Sequence, residues 1–247
     1  MKILTVFAHP DRRSFCGAVL DRFQDGLKEA GHEVEVADLY AERFNPVFTA
    51  YDSAFFADSS VPEAVLERMQ LRDRVIQSAG GPLRRAIARR WMRNRSVREV
   101  ADLVFAQRPK DILREQARVR AAEGLAVIAP VYWLGFPAIL KGWIERVFTH
   151  GFAYQLTAEG WEGDIAGRVP LLRHTKALLI STTFFGQTVY DAGVKDAMER
   201  LIDSWGFRFP GIRTVEHKYF WAVPNVGPET RQQYLTEAYH LGRNYAS

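Results

Sequence analysis

Three irregular stretches of this sequence combine hydrogen-bonding and aromatic side chains in a way that suits a flat ligand with a charged end. They read AHPDRRSFCGA at 8–18, PVYWLGFP at 130–137 and STTFFGQTVYD at 181–191, and are called the first, second and third loops below. Each follows a run of apolar residues that resembles a buried strand. Because ligands of open α/β sheets bind beyond the carboxyl ends of the strands, we expect the three loops to form one pocket.

The first loop has the features of a phosphate site. Ser14 directly precedes a helical pattern, and the free backbone N–H groups and positive dipole end at a helix start attract anions. The candidate donors are the side chains of His9 and Ser14 and the backbone of Phe15 and Cys16. Ser14 is equally well explained as an ordinary helix cap, and a single histidine is more often structural.

The second loop offers aromatic surface together with backbone hydrogen-bonding groups. A planar isoalloxazine ring system needs both, because its faces stack and its edges form hydrogen bonds. The candidate residues are Pro130, Val131, Tyr132, Trp133 and Leu134. Taken alone, the motif is more typical of a hydrophobic core or a dimer surface.

The third loop carries hydroxyl and aromatic groups, namely Thr182, Thr183, Phe184, Phe185 and Tyr190. A tyrosine hydroxyl near a flavin or a quinone oxygen donates a hydrogen bond as negative charge develops there. Considered by itself, Tyr190 is more simply explained as a packing residue.

Alternating strand and helix patterns position these loops. Apolar runs predict five strands, at Lys2–Ala8, Glu33–Leu39, Ala122–Pro130, Thr175–Thr182 and near Gly211–Val223. Helical spacing predicts a helix after Ser14 and further helices at about Pro137–Phe148, Asp191–Trp205 and Pro228–Tyr245. This order predicts an α/β fold with a flavodoxin-like, doubly wound, five-stranded parallel sheet.

The predicted alternation is interrupted between strands two and three. Residues at about 59–120 are rich in Ala, Arg, Leu and Glu, which predicts several inserted helices within a single domain spanning 1–247. The segment RRAIARRWMRNRSVR is strongly basic, and such segments bind nucleic acid or anionic membranes. A solvated helix face, or a face paired with carboxylates across a subunit interface, is the simpler interpretation. A specific hypothesis is that the insertion covers the pocket and helps to select the molecule that enters it.

Composition excludes several classes of protein. A single cysteine, Cys16, rules out an internal disulfide framework and fits a reducing cytoplasm. We expect neither a signal peptide at KILTVFA nor a membrane-spanning segment, and the net charge of +4 indicates no particular partner. The histidines lack metal-ligand spacing, so no metal site is expected. Hydrolase elbow, dinucleotide and Walker A motifs are also absent from the sequence.

The sequence resembles the flavin-containing NAD(P)H:quinone oxidoreductases. The shared segments, in order, are FAHPDRRSFCGAVLDRF, GHEVEVADLYAERFNPVF, PVYWLGFPAILKGWIERVFTHGFAY and ISTTFFGQTVYDAG. They cover about 1–47 and 110–187. The resemblance implies a flavodoxin-like homodimer that binds FAD, or FMN as in some relatives. It also implies that NAD(P)H passes hydride to the flavin, which then gives two electrons to a quinone or related aromatic acceptor.

Carried over by position, the resemblance assigns His9, Ser14, Phe15 and Cys16 to the phosphate portion. It assigns Pro130–Leu134, with Thr182, Thr183, Phe184 and Phe185, to the isoalloxazine, and makes Tyr190 the catalytic tyrosine. Two departures follow. The family's histidine six residues after this tyrosine is Asp196 here, and the usual Gly-Gly of the third loop is Phe184-Phe185, which predicts a reshaped and tighter acceptor pocket.

Two functions remain open from the sequence. The first is a cytoplasmic oxidoreductase that acts on a small quinone-like molecule, without nucleic acid or stable membrane insertion. The alternative is a flavin-binding regulatory subunit of a membrane transport system, for which the basic insertion would be a docking surface. Rapid NAD(P)H oxidation with a quinone distinguishes the enzyme from the binding module.

Overall fold

A five-stranded parallel sheet forms the centre of the fold in the computed structural model, which describes residues 1–49, 51–52, 54, 58 and 60–247. Strands are numbered β1 to β7 along the chain. The sheet contains β1 Lys2–Phe7, β2 Glu33–Asp38, β3 Gly124–Pro130, β6 Lys176–Thr182 and β7 Thr214–Phe220. Their order is β2-β1-β3-β6-β7, with all neighbours parallel. The predicted flavodoxin-like fold is confirmed.

The sheet forms because its inner strands are apolar on both faces. All seven residues of β3 are buried, and β6 is buried from Ala177 to Thr182. Parallel strands that are covered on both faces lose the polar alternation of a half-exposed strand. The apolar runs therefore located all five strands to within a few residues.

One face of the sheet is covered by the first and last helices. Helix α1 spans Phe15–Glu29 and α11 spans Pro228–Arg243. They approach closely at two glycines, since a Cβ on Gly26 would lie 2.0 Å from the Tyr239 carbonyl oxygen and one on Gly242 would lie 2.1 Å from that of Phe23. Two side-chain-free positions thus set the helix spacing.

Further helices follow β3 and β6. Helix α7 spans Ala138–Val147, α9 spans Gln187–Tyr190 and α10 spans Val194–Glu199. A π-helical segment, Arg200–Arg208, continues α10. The predicted helix at Asp191–Trp205 is therefore displaced, because Gly193 at φ 96° separates α9 from α10.

Backbone contacts divide the chain into two compact units. The first, made of Met1–Pro46, Ala117–Ile144 and Leu172–Ser247, contains the sheet. The second is made of Val47–Gln116 and Glu145–Leu171. The single domain with an insertion stays a prediction. Within the described residues, no helix combines the length and the apolarity needed to cross a bilayer.

The region between β2 and β3 is helical, as predicted. It contains α2 Glu63–Arg68, α3 Leu71–Ser78, α4 Pro82–Met92, α5 Val97–Ala106 and α6 Lys110–Ala121. The second unit also has the antiparallel pair β4 Tyr154–Leu156 and β5 Arg168–Pro170, which flanks α8 Ala158–Trp161. Strands of three residues are too short to show periodicity, so no sequence pattern indicated this pair.

His150 is an unusual core residue of the second unit. Its side chain is 1% exposed and packs on Trp161 with ring centroids 5.0 Å apart. Neither ring nitrogen has a hydrogen-bond partner among the described residues. Burial lowers the pKa of His150 from its ordinary 6.5, and the Asp58 carboxylate opposes this shift. Folding therefore favours the neutral imidazole.

Replacing His150 with phenylalanine should raise the free energy of unfolding by about 1–3 kcal/mol, because the variant keeps a ring and removes the unpaired polar atoms. A lowered pKa in the folded state makes the wild type lose stability as the pH falls below 6.5. The gain should therefore grow in urea titrations at lower pH. His240→Phe, at an exposed histidine of α11, is the control and should change little. A His150→Phe variant no more stable than wild type would show that this histidine is satisfied.

Candidate active site

The first, second and third loops meet at one edge of the sheet. They follow β1, β3 and β6, which are adjacent in the sheet. The Ala8 N–H donates to the Ile128 carbonyl at 3.1 Å, and the Val131 N–H donates to the Thr182 carbonyl at 2.9 Å. These bonds extend the strand ladder to the loops, so the loop backbones are held where the sheet ends.

The second loop contains a strained two-residue turn. Tyr132 and Gly135 exchange backbone hydrogen bonds of 3.0 and 3.1 Å. The two residues between them, Trp133 and Leu134, have φ values of 49° and 61°. This left-handed conformation costs a side-chain-bearing residue about 1–2 kcal/mol. Strain of this kind is concentrated at ligand sites, and here it presents Trp133 fully to solvent at 102% exposure.

An apolar cavity of about 630 Å³ lies beside this turn. Its lining comes from the second and third loops and consists of Val131, Tyr132, Trp133, Leu134, Phe184, Phe185 and Tyr190. Large apolar side chains that are exposed together mark a binding site. The volume lies within the range of about 300–1,000 Å³ that is typical of small-molecule pockets.

Hydrogen bonds fix the shape of the third loop. The Thr183 hydroxyl donates to the Phe185 carbonyl at 2.7 Å and accepts from the Ala222 N–H at 3.1 Å. The rings of Phe184 and Phe185 meet edge to face, with centroids 5.1 Å apart. Thr183 is buried, so its role is to hold the two aromatic residues in the cavity wall.

The first loop ends in a capped helix start. The Ser14 hydroxyl accepts the Gly17 N–H of α1 at 3.2 Å. The N–H groups of Phe15 and Cys16 lie in the first turn, where no intrahelical acceptor exists. The His9 Nδ1 atom lies 3.0 Å from the backbone nitrogen of Asp11 and 2.8 Å from its backbone carbonyl oxygen. Among the described residues, His9 Nε2 has no hydrogen-bond partner, so it remains available to a ligand.

The Cys16 side chain has no role as a nucleophile. Its burial raises the pKa of the thiol to about 12, against opposing effects of Thr182 and Arg12. The thiol is therefore protonated at neutral pH, and thiols in that state react slowly. The backbone N–H of Cys16 lies in the first turn of α1, and its role toward a phosphate stays a prediction.

Tyr190 forms the inner wall of the cavity. It is 2% exposed and packs with Met198 and Tyr219. Burial raises the pKa of its hydroxyl above the ordinary value, while a side-chain hydrogen bond with Thr183 acts in the opposite direction. Tyr190 therefore keeps its proton at neutral pH and can donate a hydrogen bond.

A row of stacked rings supports Tyr190 from behind. Trp221 lies 5.0 Å from Tyr190 between centroids, Tyr219 lies 4.7 Å from Trp221, and His217 lies 4.1 Å from Tyr219. The last two contacts are nearly parallel, at 8° and 18°. His217 and Tyr219 share one face of β7 because they lie two residues apart, and Trp221 directly follows the strand.

The end of this row is fixed by polar contacts that the sequence analysis missed. His217 Nδ1 lies 2.9 Å from an Asp203 carboxylate oxygen, and Nε2 lies 2.9 Å from the Ser181 hydroxyl. Asp203 lies in the π-helical segment, whose geometry no sequence pattern indicated. Glu199, Asp203 and His217 each have an oxygen or nitrogen atom that can coordinate a metal ion, and these atoms lie within 4.8 Å of one another. Because Lys195 pairs with Glu199 at 2.8 Å, both carboxylates already have partners.

The structure separates the predicted site residues into three groups. The cavity brings together the second-loop residues from Val131 onward, the two phenylalanines and Tyr190. Thr182 and Thr183 are buried beneath it, and His9, Ser14, Phe15 and Cys16 belong to the neighbouring helix start. Asp196, which replaces the family's histidine, is exposed on α10 and does not line the cavity.

Comparisons with known proteins agree with this architecture. The sequence model of a family described by its flavodoxin-like fold matches residues 1–241. NAD(P)H dehydrogenase [quinone] 1 of Rattus norvegicus is 30% identical over 95% of this chain and 73% of its own length. The structure of an NAD(P)H:quinone oxidoreductase from Methanothermobacter marburgensis is 26% identical, with a TM-score of 0.70, over 99% of this chain and 98% of that one.

A more distant structure shares the fold alone. It is an FMN-dependent NADH-azoreductase from Bacillus anthracis in complex with FMN, 16% identical, with a TM-score of 0.66, covering 100% of this chain and 99% of that one. The present chain belongs to the flavodoxin-like family of quinone reductases. This confirms the resemblance stated from the sequence. None of these comparisons supports a regulatory subunit of a transport system.

Proposed function

We propose that this protein is a flavin-dependent NAD(P)H:quinone oxidoreductase that carries out two-electron, ping-pong reduction of a quinone or a related aromatic acceptor. The observation that carries the proposal is the aromatic cavity at the carboxyl edge of the sheet, bounded by the strained Trp133–Leu134 turn. Family membership supports the same reaction class. No observation favours a second function.

The residues present fit a flavin. The cavity has apolar walls and enough volume for a flat ring system, and the adjacent helix start offers N–H groups to a phosphate. A bound flavin supplies the two-electron redox chemistry. We propose FAD, on the strength of the motifs shared with the quinone oxidoreductases, with FMN as the alternative because the azoreductase structure holds it.

Each loop has a separate binding task in this proposal. The Ser14 cap orders the start of α1, so that the N–H groups of Phe15 and Cys16 face a phosphate, and His9 Nε2 adds a further polar contact. Pro130–Leu134 pack along the isoalloxazine and offer backbone groups to its edge. Thr182, Thr183, Phe184 and Phe185 line the isoalloxazine from the third loop, and the two phenylalanines also narrow the space left for the acceptor.

Tyr190 is the catalytic residue we propose. Its protonated hydroxyl donates a hydrogen bond to an acceptor oxygen at which negative charge develops. The Tyr/His pair that the resemblance implies is not available, because the position of that histidine holds Asp196. Asp196 is also exposed and does not line the cavity. In place of that pair, the stacked row from Trp221 to His217 orients the Tyr190 ring, and Asp203 and Ser181 hold His217. These are positioning residues that do not touch the substrate.

Several finer properties belong to the same proposal. We propose that the protein is a cytoplasmic homodimer. We also propose that it accepts NADH or NADPH, since relatives named for NAD(P)H match 95% of the chain. The exposed Trp133, Phe184 and Phe185 leave apolar surface at the mouth of the cavity that a second subunit can cover.

Steady-state assays of flavin-loaded protein test the function. Oxidation of NADH or NADPH should be slow alone and fast with a soluble quinone, and initial rates at several fixed quinone concentrations should give parallel double-reciprocal lines. Flavin-free protein serves as the control. A flavin-loaded protein that gives no quinone-dependent turnover with either nicotinamide would contradict the proposal.

A further inference from the structure

Helix α4 is exposed over nearly its whole circumference. From Pro82 to Met92, only Met92 is buried and only Ala88 is partly buried. The exposed residues include three large apolar side chains, Leu83 at 75%, Ile87 at 61% and Trp91 at 44%. An isolated helix of this length is only marginally stable in water, so helices in proteins depend on packing against other elements. Most of the α4 surface lacks such packing.

The apolar side chains of α4 form one stripe. Leu83, Ile87 and Trp91 follow one another at intervals of four residues, which places them within an arc of about 80°. Arg84 and Arg90 lie at the two borders of this arc, about 20° beyond its edges. Met92, the buried residue, lies on a different side of the helix and attaches α4 to its own unit. The stripe therefore faces away from the core of its own unit.

The same helix carries a concentrated positive charge. No acidic residue occurs between Asp73 and Glu99. Arg98 of this segment is exposed and pairs with Glu63. Five further exposed arginines lie on α4 or directly after it, namely Arg84, Arg85, Arg89, Arg90 and Arg93. Within the described part of the chain, none of these five forms an ion pair. A partner that covers α4 must accept both an apolar stripe and several cations.

We propose that α4 binds the surface of an anionic lipid bilayer and lies in the plane of the interface. An apolar stripe that inserts among acyl chains, bordered by arginines that reach anionic headgroups, is the chemistry of an interfacial helix. Trp91 suits the headgroup level, because its ring is amphipathic. The Arg95 guanidinium lies 4.5 Å from the centre of this ring and adds charge there.

Other occupants match α4 less well. A two-fold interface between copies that is centred on α4 would set like-charged arginines against one another. Nucleic acid would take the arginines but leave the stripe of Leu83 and Ile87 in contact with water. An anionic lipid surface accommodates both the apolar stripe and the arginines. Each arginine near such a surface strengthens binding of the protein to the membrane roughly fivefold.

Sedimentation of the full-length protein with vesicles tests this binding. Vesicles of phosphatidylcholine alone are compared with vesicles that also contain phosphatidylglycerol. Wild type should bind the anionic vesicles at least about tenfold more strongly, and added salt should weaken the binding. Equal binding to the two kinds of vesicle would overturn the proposal.

Two variants separate the stripe from the charge. Leu83→Gln with Ile87→Gln keeps every arginine and should lower anionic-vesicle binding about tenfold or more. Arg84→Gln with Arg90→Gln should lower it by a similar factor. Arg173→Gln with Arg213→Gln removes the same charge from exposed sites in the other unit and should change binding little. Circular dichroism checks that each variant remains folded.

The same variants detect the competing occupants. Full binding by the stripe variant would show a purely electrostatic contact and overturn the interfacial helix. A stripe variant that becomes monomeric in lipid-free light scattering, where wild type is dimeric, would show that a second copy covers α4 and would also overturn it.

Discussion

Glycine at both central positions of the second-loop turn, Trp133→Gly with Leu134→Gly, should weaken flavin binding by roughly a hundredfold. Each side chain lines the cavity and is exposed without a ligand. Burying a large apolar side chain contributes about 1.5–3 kcal/mol, and about 1.4 kcal/mol is a factor of ten in affinity. Fluorescence titration of flavin into flavin-free protein measures the change.

The same variant should be at least as stable as wild type without flavin. The φ values of 49° and 61° are unfavourable for Trp133 and Leu134 but readily adopted by glycine. Trp133→Ala with Leu134→Ala is the matched control, since it removes the same contacts and keeps the backbone strain. It should lose a similar affinity and be less stable than the glycine variant. Unchanged flavin affinity in both variants would show that the turn does not contact the ring system.

Tyr190→Phe should lower kcat for quinone reduction about 100-fold while leaving flavin content unchanged. The substitution removes only the hydroxyl, whose hydrogen bond we assign to the acceptor oxygen, and a donor of this kind contributes about 10²–10³ in rate. Stopped-flow measurement of the nicotinamide and quinone half-reactions locates the loss. The quinone half-reaction should be the slower one in the variant.

Tyr245→Phe controls for loss of a buried tyrosine hydroxyl. The Tyr245 hydroxyl donates to the Leu125 carbonyl at 2.8 Å, far along the sheet from the three loops. This variant should lose about 1 kcal/mol of stability and keep its kcat. Full quinone turnover by Tyr190→Phe, with flavin bound, would remove Tyr190 from the catalytic assignment.

The sheet and the loops were predictable because they depend on local patterns. Apolar runs such as GLAVIAP identify buried strands whatever their neighbours are. Once the strands are parallel, their carboxyl ends must share one edge, so 8–18, 130–137 and 181–191 had to lie at that edge. Ser14 as a helix cap follows from its side chain and its place before an amphipathic run.

The parts that escaped prediction depend on contacts between distant residues. Positive φ at Trp133 and Leu134 runs against the local preference of both residues, so only the surrounding loops can impose it. Asp203 meets His217 through a π-helical segment that has no periodic signature. The β4–β5 pair joins two strands too short to recognise. The conformation of the second-loop turn, the Asp203–His217 contact and the β4–β5 pair of the second unit were therefore invisible in the sequence.

Flavin titration of the purified protein measures whether the three loops together bind a flavin. The released chromophore is first identified by chromatography, and flavin-free protein is then titrated with FAD and with FMN while absorbance and fluorescence are recorded. We expect yellow protein that binds one flavin per chain and prefers FAD. A colourless protein that binds neither FAD nor FMN would contradict this expectation.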